Sequence, residues 1–398
     1  MRREFAVLDE QVVRRHTPGL DGGQVFLDSA GSSLPPQVVL DTVTGHLRRE
    51  AEVGGYRAAG ERAEDLDRVR SGVATLLNAA PESISLTDSA TRSWLDFVTA
   101  VDFQPSDRVL VTEVEYHSNA VQFLHRDIPF DVVPSDASGA LDLAALDRML
   151  DGNVALVSLV HVPTNSGLVN PVREVVELAH GRGALVLLDA CQSAGQLVLD
   201  VAALGVDGLS GTGRKWLRGP RGTGFLYLRP EVADRLRPAV VDGHGAEWIS
   251  EREMRLHGDG RRFELWEYDV AARLGLGAAV DYLLELGPRH VEHAVRARAE
   301  RLRSGLAVLE GVTVRDPGRD RCGIVTFTVD GTAADHVRTE LTRREVTVTT
   351  SVRRSAVIDM DRRGMGAVTR ASPHYFVTDD ELDRAVAAVA EIADGHRS

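Results

Sequence analysis

Lysine is almost missing from this chain. Of its 46 basic residues only Lys215 is lysine, and the rest are arginine. A GC-rich coding bias thins lysine everywhere, but it does not explain why one position keeps it. Arginine stays protonated and delocalised and cannot form a Schiff base, so the lone lysine is a candidate for amine chemistry. Cysteine is also scarce. Cys191 and Cys322 are too few for a disulfide framework or a cysteine-based zinc site. The expected compartment is therefore a reducing cytoplasm. No apolar run approaches the ~18 residues of a membrane span, since "ALVLL" is soon broken by Asp189. The start, "MRREFAVLDEQVVRRH", has no continuous apolar core, so no secretory signal is expected. Positive charge is in deficit as well: the net charge of −13 argues against nucleic acid or an anionic membrane as main partner.

What is present is an ordinary soluble composition, 43% hydrophobic and 26% charged, in 398 residues. That length exceeds the ~250–300 residues at which one core stops growing, so two lobes are expected. Val/Leu-rich runs at 108–114, 154–162, 184–190 and 222–228 read as strands buried on both faces. Helical patterns lie between them, such as 171–183, which ends at a glycine. This alternation predicts an α/β fold with a mostly parallel, doubly wound sheet. From about residue 275 the texture changes to two long helices broken at Gly287-Pro288, short strands at 324–329 and 345–352, and a last helix, which together predict a smaller α+β lobe. The long polar stretch 242–262 reads as a loop.

Lys215 lies in "SGTGRKWLRGPRGTG". Glycine lets backbone approach a ligand closely, and Thr212 and Arg214 supply donors for an anion. Asp189 ends an apolar run in "LLDACQ", 26 positions earlier. His290 and His293, with Glu292, lie on a helical pattern that offers no third ligand; they read as a solvated face, and no metal site is expected.

The order Asp189, Gln192, Lys215 and the following Gly-Pro-x-Gly resembles the aminotransferase class V family of fold-type-I pyridoxal-phosphate enzymes. The resemblance covers nearly the whole chain, from "LDSAG" to "SPHYFVTDDELD". It implies pyridoxal 5'-phosphate held by Lys215, with Asp189 on the ring nitrogen and Gln192 on the phenolic oxygen. "LTDSATRSW" is similar to the family's phosphate turn, which implies that Ala90, Thr91 and Arg92 sit at a helix N-terminus, where amides and dipole favour a dianion. Thr212 and Arg214 take the family's other phosphate positions. "EVEYHSN" is similar to its Glu-His-His-x-Asn and implies His117 on the ring. Thr164, or Asn165 beside it, falls near the phenolic oxygen. Arg370 matches the arginine that grips a substrate carboxylate, and Ala30 and Tyr56 are implied as further substrate contacts.

The family also implies a homodimer with sites at its interface, acting on a small amino-acid-derived substrate. The implied domains are an N-terminal segment, 1–20, packing on the small domain, a cofactor domain, 21–280, and a small domain, 281–398. The desulfurases of the family carry a nucleophilic cysteine on a small-domain loop, which "TTSVRRSAVIDMDRRGMGAVTRAS" lacks, and this counts against them. Three segments, 49–59, 214–238 and 264–275, resemble the hercynylcysteine S-oxide lyase branch, with Glu267 at the place of an interface threonine. The expected reaction is therefore carbon–sulfur β-elimination from an S-substituted cysteine to thiol or sulfenate, pyruvate and ammonia, in ergothioneine-type or antibiotic biosynthesis. Alternatives are oxidative decarboxylation, transamination or epimerisation.

Overall fold

The computed structural model describes residues 9–395. Seven strands form the main sheet: β1 (Ile84–Thr87), β2 (Arg108–Thr112), β3 (Phe130–Val133), β4 (Val154–Val160), β5 (Leu185–Asp189), β6 (Gly208–Thr212) and β7 (Gly224–Leu228). Their order across the sheet is β1-β7-β6-β5-β4-β2-β3. Strands β2 to β6 are mutually parallel, and β7 runs antiparallel to both its neighbours. Every residue of β5 is buried, which is why its sequence is continuously apolar rather than alternating. Parallel strands finish on one edge, so Thr112, Asp189 and Thr212 all arrive at the crevice where such sheets bind ligands.

Strand β6, "GLSGT", was not legible as a strand. Its glycines are needed by its neighbour: a Cβ on Gly211 would lie 2.2 Å from the Phe225 ring. The stretch 242–262 is not an irregular loop either. It contains an antiparallel hairpin, Ala246–Ser250 with Glu253–Leu256, whose faces are mostly open to solvent and so lack apolar alternation.

One core lies on each face of the sheet. Trp94, Phe97, Phe123 and Leu187 pack on one side. On the other, Val186, Leu188 and Trp216 belong to a core that continues to Phe327 and Val389 in the C-terminal part. There β8 (Val312–Val314), β9 (Val325–Val329), β10 (Thr349–Val352) and β11 (Ala367–Ala371) form an antiparallel sheet in the order β8-β9-β11-β10. Of the helices, α1 (Gln37–Val53) and α2 (Ala63–Leu77) pack on α5 (Val270–Leu286), with α3 (Ala90–Ala100) and α4 (His117–His125) between them in sequence; α6 (Pro288–Ala307) packs on α7 (Asp379–Gly395). The break between α5 and α6 is Gly287 at φ +84°, with Pro288 starting the next helix.

The run 345–352 splits between two sheets. Val346–Thr347 pairs with Val25–Phe26, and only Thr349–Val352 joins the small sheet. That pairing leads the "LDSAG" segment onto the small sheet, where the Ser372 N–H donates to Leu27 O at 2.6 Å. Arg14 ties the same region to α7 through Glu381, at 2.8 and 2.9 Å. Residues 1–8 of the expected N-terminal segment lie outside the described residues.

Candidate active site

Lys215 follows β6 and is 8% exposed. Its Nζ donates to Cys191 Sγ at 3.2 Å. Burial lowers its pKa from the ordinary lysine range, with Arg214 and Arg370 adding to the effect against the opposing pull of Cys191. A nucleophilic amine needs such a shift toward neutrality. Cys191 lies in the Asp189–Gln192 turn with its thiol on the lysine.

Asp189 ends β5 and is buried. Its Oδ1 accepts the Cys191 N–H at 2.9 Å, and its Oδ2 accepts from Asn119 at 3.2 Å. Burial raises its pKa, while these donors and Lys215 oppose the rise. The Gln192 amide is engaged at both ends, donating to Ala30 O and accepting from the Trp216 indole, each at 3.1 Å.

His117 opens α4. Its Nδ1 is buried with no partner among the described residues, and its Nε2 has Ser118 Oγ at 3.3 Å. Burial, and then Arg354, lowers its pKa, which favours the neutral ring.

Arg370 is buried in β11. Its Nη1 donates to both the carbonyl and the hydroxyl of Thr164 at 3.0 Å, and its Nη2 to Asp28 Oδ1 at 3.2 Å; its Nε has no partner among the described residues. The two neighbours Thr164 and Asn165 make different protein contacts. Thr164 faces Arg370, whereas Asn165 holds Asp359 at 2.5 Å.

At the N-terminus of α3, Ser89 Oγ caps the helix by accepting the Arg92 N–H at 3.1 Å, leaving Ala90 and Thr91 in the first turn. Gly224 makes room for this turn: a Cβ there would lie 2.4 Å from the Ser89 carbonyl carbon. Three expected phosphate donors also meet protein acceptors. The Arg92 guanidinium meets Asp96 at 2.7 Å, Thr212 Oγ1 donates to Thr223 O at 3.2 Å, and Arg214 donates to Gly31 O. Each is a strong donor with an acceptor in reach, which sequence position alone did not show.

Ala30 is buried and contributes backbone, its N–H donating to Ser372 Oγ at 2.9 Å. Tyr56 is 87% exposed and Glu267 is exposed too. Both line a surface groove of about 660 Å³ with Trp266 and His244, and neither Lys215 nor Arg370 lines it. Among the described residues no group of three His, Cys, Asp or Glu side chains is placed to hold a metal. Glu292 is not simply solvated, since it accepts the Val198 N–H at 2.8 Å and pairs with Arg296.

Sequence reasoning passed over Asp28, Glu115 and Asn119. Glu115 and Asn119 are four apart at the start of a helix, a spacing that places them on one face and was readable.

The buried Lys215 amine feels the charges of Arg214 and Arg370, and Asp189 at its strand end feels the amine in turn, while among the described residues the His117 Nδ1 and the Arg370 Nε have no partner. These groups fit a phosphorylated pyridine aldehyde. Together with the sheet order they define the class, a fold-type-I pyridoxal-phosphate enzyme.

The family profile described as Aminotransferase class-V matches residues 25–385. The chain belongs to this family, whose cofactor is pyridoxal 5'-phosphate. It is 32% identical to a cysteine desulfurase of Dickeya dadantii, over 98% of this chain and 96% of that one. Other curated relatives, aligned over nearly their full length, are named probable cysteine desulfurases. An apo cysteine desulfurase from Thermococcus onnurineus NA1 superimposes with a TM-score of 0.89 at 26% identity, covering 99% of this chain and 100% of that one. The cystine C–S lyase C-DES, solved with its product cysteine persulfide, superimposes with a TM-score of 0.85 at 26% identity, over 94% and 99%.

The relatives named cysteine desulfurases overturn the expected carbon–sulfur β-lyase of the hercynylcysteine S-oxide type, and with it the argument against a desulfurase. The physical reason lies in what the marker segments do. Segment 264–275 supplies a buried ion network, with Glu264 between Arg70 and Arg273, and segment 214–238 builds the Lys215 hairpin. Such scaffold does not say which substrate bond breaks. The missing loop cysteine bears on who receives the sulfur, not on how its bond to carbon is loosened. No helix among the described residues is long and apolar enough to cross a membrane.

Proposed function

We propose that this chain is a pyridoxal-phosphate enzyme that removes the sulfur of L-cysteine and leaves alanine. The observation that carries the reading is the buried Lys215 amine, close to Asp189 and Arg370, in a chain whose full-length relatives are named cysteine desulfurases. When bound, the cofactor supplies an electron-accepting ring joined to the substrate nitrogen. Asp189 holds the ring nitrogen. Lys215 Nζ, whose pKa burial lowers, takes the Cα proton. His117, with its free Nδ1, takes the proton of the substrate thiol. Arg370 grips the α-carboxylate, and Thr164 and Asp28 hold that guanidinium in place. Ala90 and Thr91 offer backbone N–H groups to the phosphate.

Segment 347–371 holds no cysteine, Cys322 is wholly buried, and the Cys191 thiol is engaged by Lys215, its pKa raised by burial. On this reading the acceptor is a thiol from solution: cysteine and one thiol give alanine and one hydropersulfide. On this reading residues 21–280 hold the cofactor, 281–398 supply Arg370, and 1–20 pack on the latter. A second copy covers the face that exposes Tyr56, Trp248, Trp266 and Glu267. Two free cysteines suit a reducing cytoplasm.

The test is L-cysteine turnover by the yellow holoenzyme in excess dithiothreitol. Equal yields of alanine and sulfide are expected, and Lys215→Ala should lose both the products and the visible band. Pyruvate and ammonia in place of alanine would overturn the proposal.

A further inference from the structure

Asp189 is not the last carboxyl in its line of contacts. The Asn119 side-chain nitrogen has two N–H bonds, and both go to carboxyls: one to Asp189 Oδ2 at 3.2 Å, the other to Glu115 Oε1 at 2.8 Å. Glu115 accepts two more hydrogen bonds, from the Tyr116 N–H to Oε1 and from the Ser158 hydroxyl to Oε2, each at 2.9 Å. Three elements converge here: the residues opening α4, Ser158 on β4 and Asp189 on β5. Glu115 is 3% exposed, Asn119 2% and Ser158 fully buried, and no cation pairs with Glu115 among the described residues.

A backbone carbonyl could hold Asn119 at lower desolvation cost than a buried carboxyl. What a carboxyl adds is a charge, or a proton, one amide away from Asp189. We propose that Glu115 is a positioning residue that, through Asn119, fixes the Asp189 carboxylate and sets the basicity of the cofactor's ring nitrogen. The inference rests on the cofactor reading above. Burial pushes Glu115 up to about 8, with Asp189 adding to the rise and Asn119, Tyr116 N–H and Ser158 opposing it. Through Asn119 it would hold the Asp189 carboxylate on the ring nitrogen, and so favour a protonated ring.

The test loads the protein with pyridoxal 5'-phosphate labelled with nitrogen-15 in the ring. The ring-nitrogen chemical shift and the pH titration of the visible band are then followed in wild type, Glu115→Gln, Asn119→Ala and Ser158→Ala. Glu115→Gln and Asn119→Ala are expected to move the shift toward unprotonated pyridine and the titration by about half a pH unit or more. The double variant should match Asn119→Ala alone, because the influence runs through that amide. Unmoved shifts in loaded variants, or additive effects in the double, would overturn the inference. Should Glu115→Gln fail to load, Ser158→Ala decides: it keeps both carboxyls and removes one donor, so a displaced shift supports the inference and an unmoved one overturns it. A wild-type protein that takes up no cofactor overturns the proposed function and this inference together, whereas a loaded wild type with unmoved variants overturns the inference alone.

Discussion

Arg370 serves two partners before any substrate arrives. Its guanidinium holds Thr164 and Asp28, and its Nε is still free. Burial raises the Asp28 pKa, and Arg370 is the largest influence opposing that rise. Hydrogen bonds to charged groups contribute roughly 1.5–3 kcal/mol net. Arg370→Ala should therefore lower kcat/KM by about ten- to a few-hundredfold while the protein stays yellow, because Lys215 is untouched. It should also lose some thermal stability, since the half-buried Asp28 loses the cation it pairs with. Arg370→Lys should rescue only part, as an ammonium cannot make the two-pronged contact. Steady-state kinetics beside the visible spectrum would check this, and a wild-type kcat/KM in Arg370→Ala would sink the assignment. At this scale the sequence singles out a side chain that is unique, as Lys215 is, or that ends a strand, as Asp189 does. It does not show which protein acceptors a donor meets, as Arg92, Thr212 and Arg214 each do, because pattern matching has no term for that competition.

Elements are held to one another by buried charge as well as by apolar packing. Glu264 is the hub. It accepts from Arg70 of α2 at 2.7 Å and from the Leu86 N–H of β1 at 2.8 Å, and it pairs with Arg273 of α5 at 3.3 Å and His244 at 3.4 Å. Arg273 also lies 3.4 Å from the centre of the Tyr268 ring. Removing one member of such a network strands the others in low dielectric, at a cost of about 3–5 kcal/mol. Glu264→Leu should lose that much in denaturant unfolding, and a loss below about 1 kcal/mol would show that the network contributes little. "ELWEYDVAARLG" is thus legible as a motif, but its function is to fasten α2, α5 and β1. The same limit hid β6, whose glycines exist for Phe225, and the hairpin 246–256, whose strands bury too little to alternate.

At the scale of the whole molecule, several large apolar side chains are left to water, Tyr56 and Trp266 along one groove and others on the hairpin. Tyr56 is 87% exposed, Trp248 80% and Trp266 62%, and Ile249 and Met254 lie on the hairpin with Trp248. Exposed aromatic clusters of this kind mark association sites. Sedimentation of the holoenzyme is expected to give a dimer. Trp248→Arg combined with Trp266→Arg should shift it toward a monomer with little activity, and an active wild-type monomer would contradict the proposed assembly.

The order of apolar runs was enough, by itself, to dictate the α/β class, the parallel sheet and the α+β C-terminal part, because burial on both faces leaves a local signature in most strands, β6 excepted. The only lysine, the strand-ending aspartate and the distance between them carried a family resemblance, and that resemblance implied pyridoxal phosphate. Only the tertiary structure decided the rest. Val346–Thr347 left its own run to pair with Val25–Phe26, which carries Asp28 to Arg370. Asn119 came to bridge two carboxyls that lie 74 positions apart. Both depend on which distant groups share one buried volume. That is settled by packing and by the cost of leaving a polar atom unpaired, neither of which is written in any local stretch of the chain.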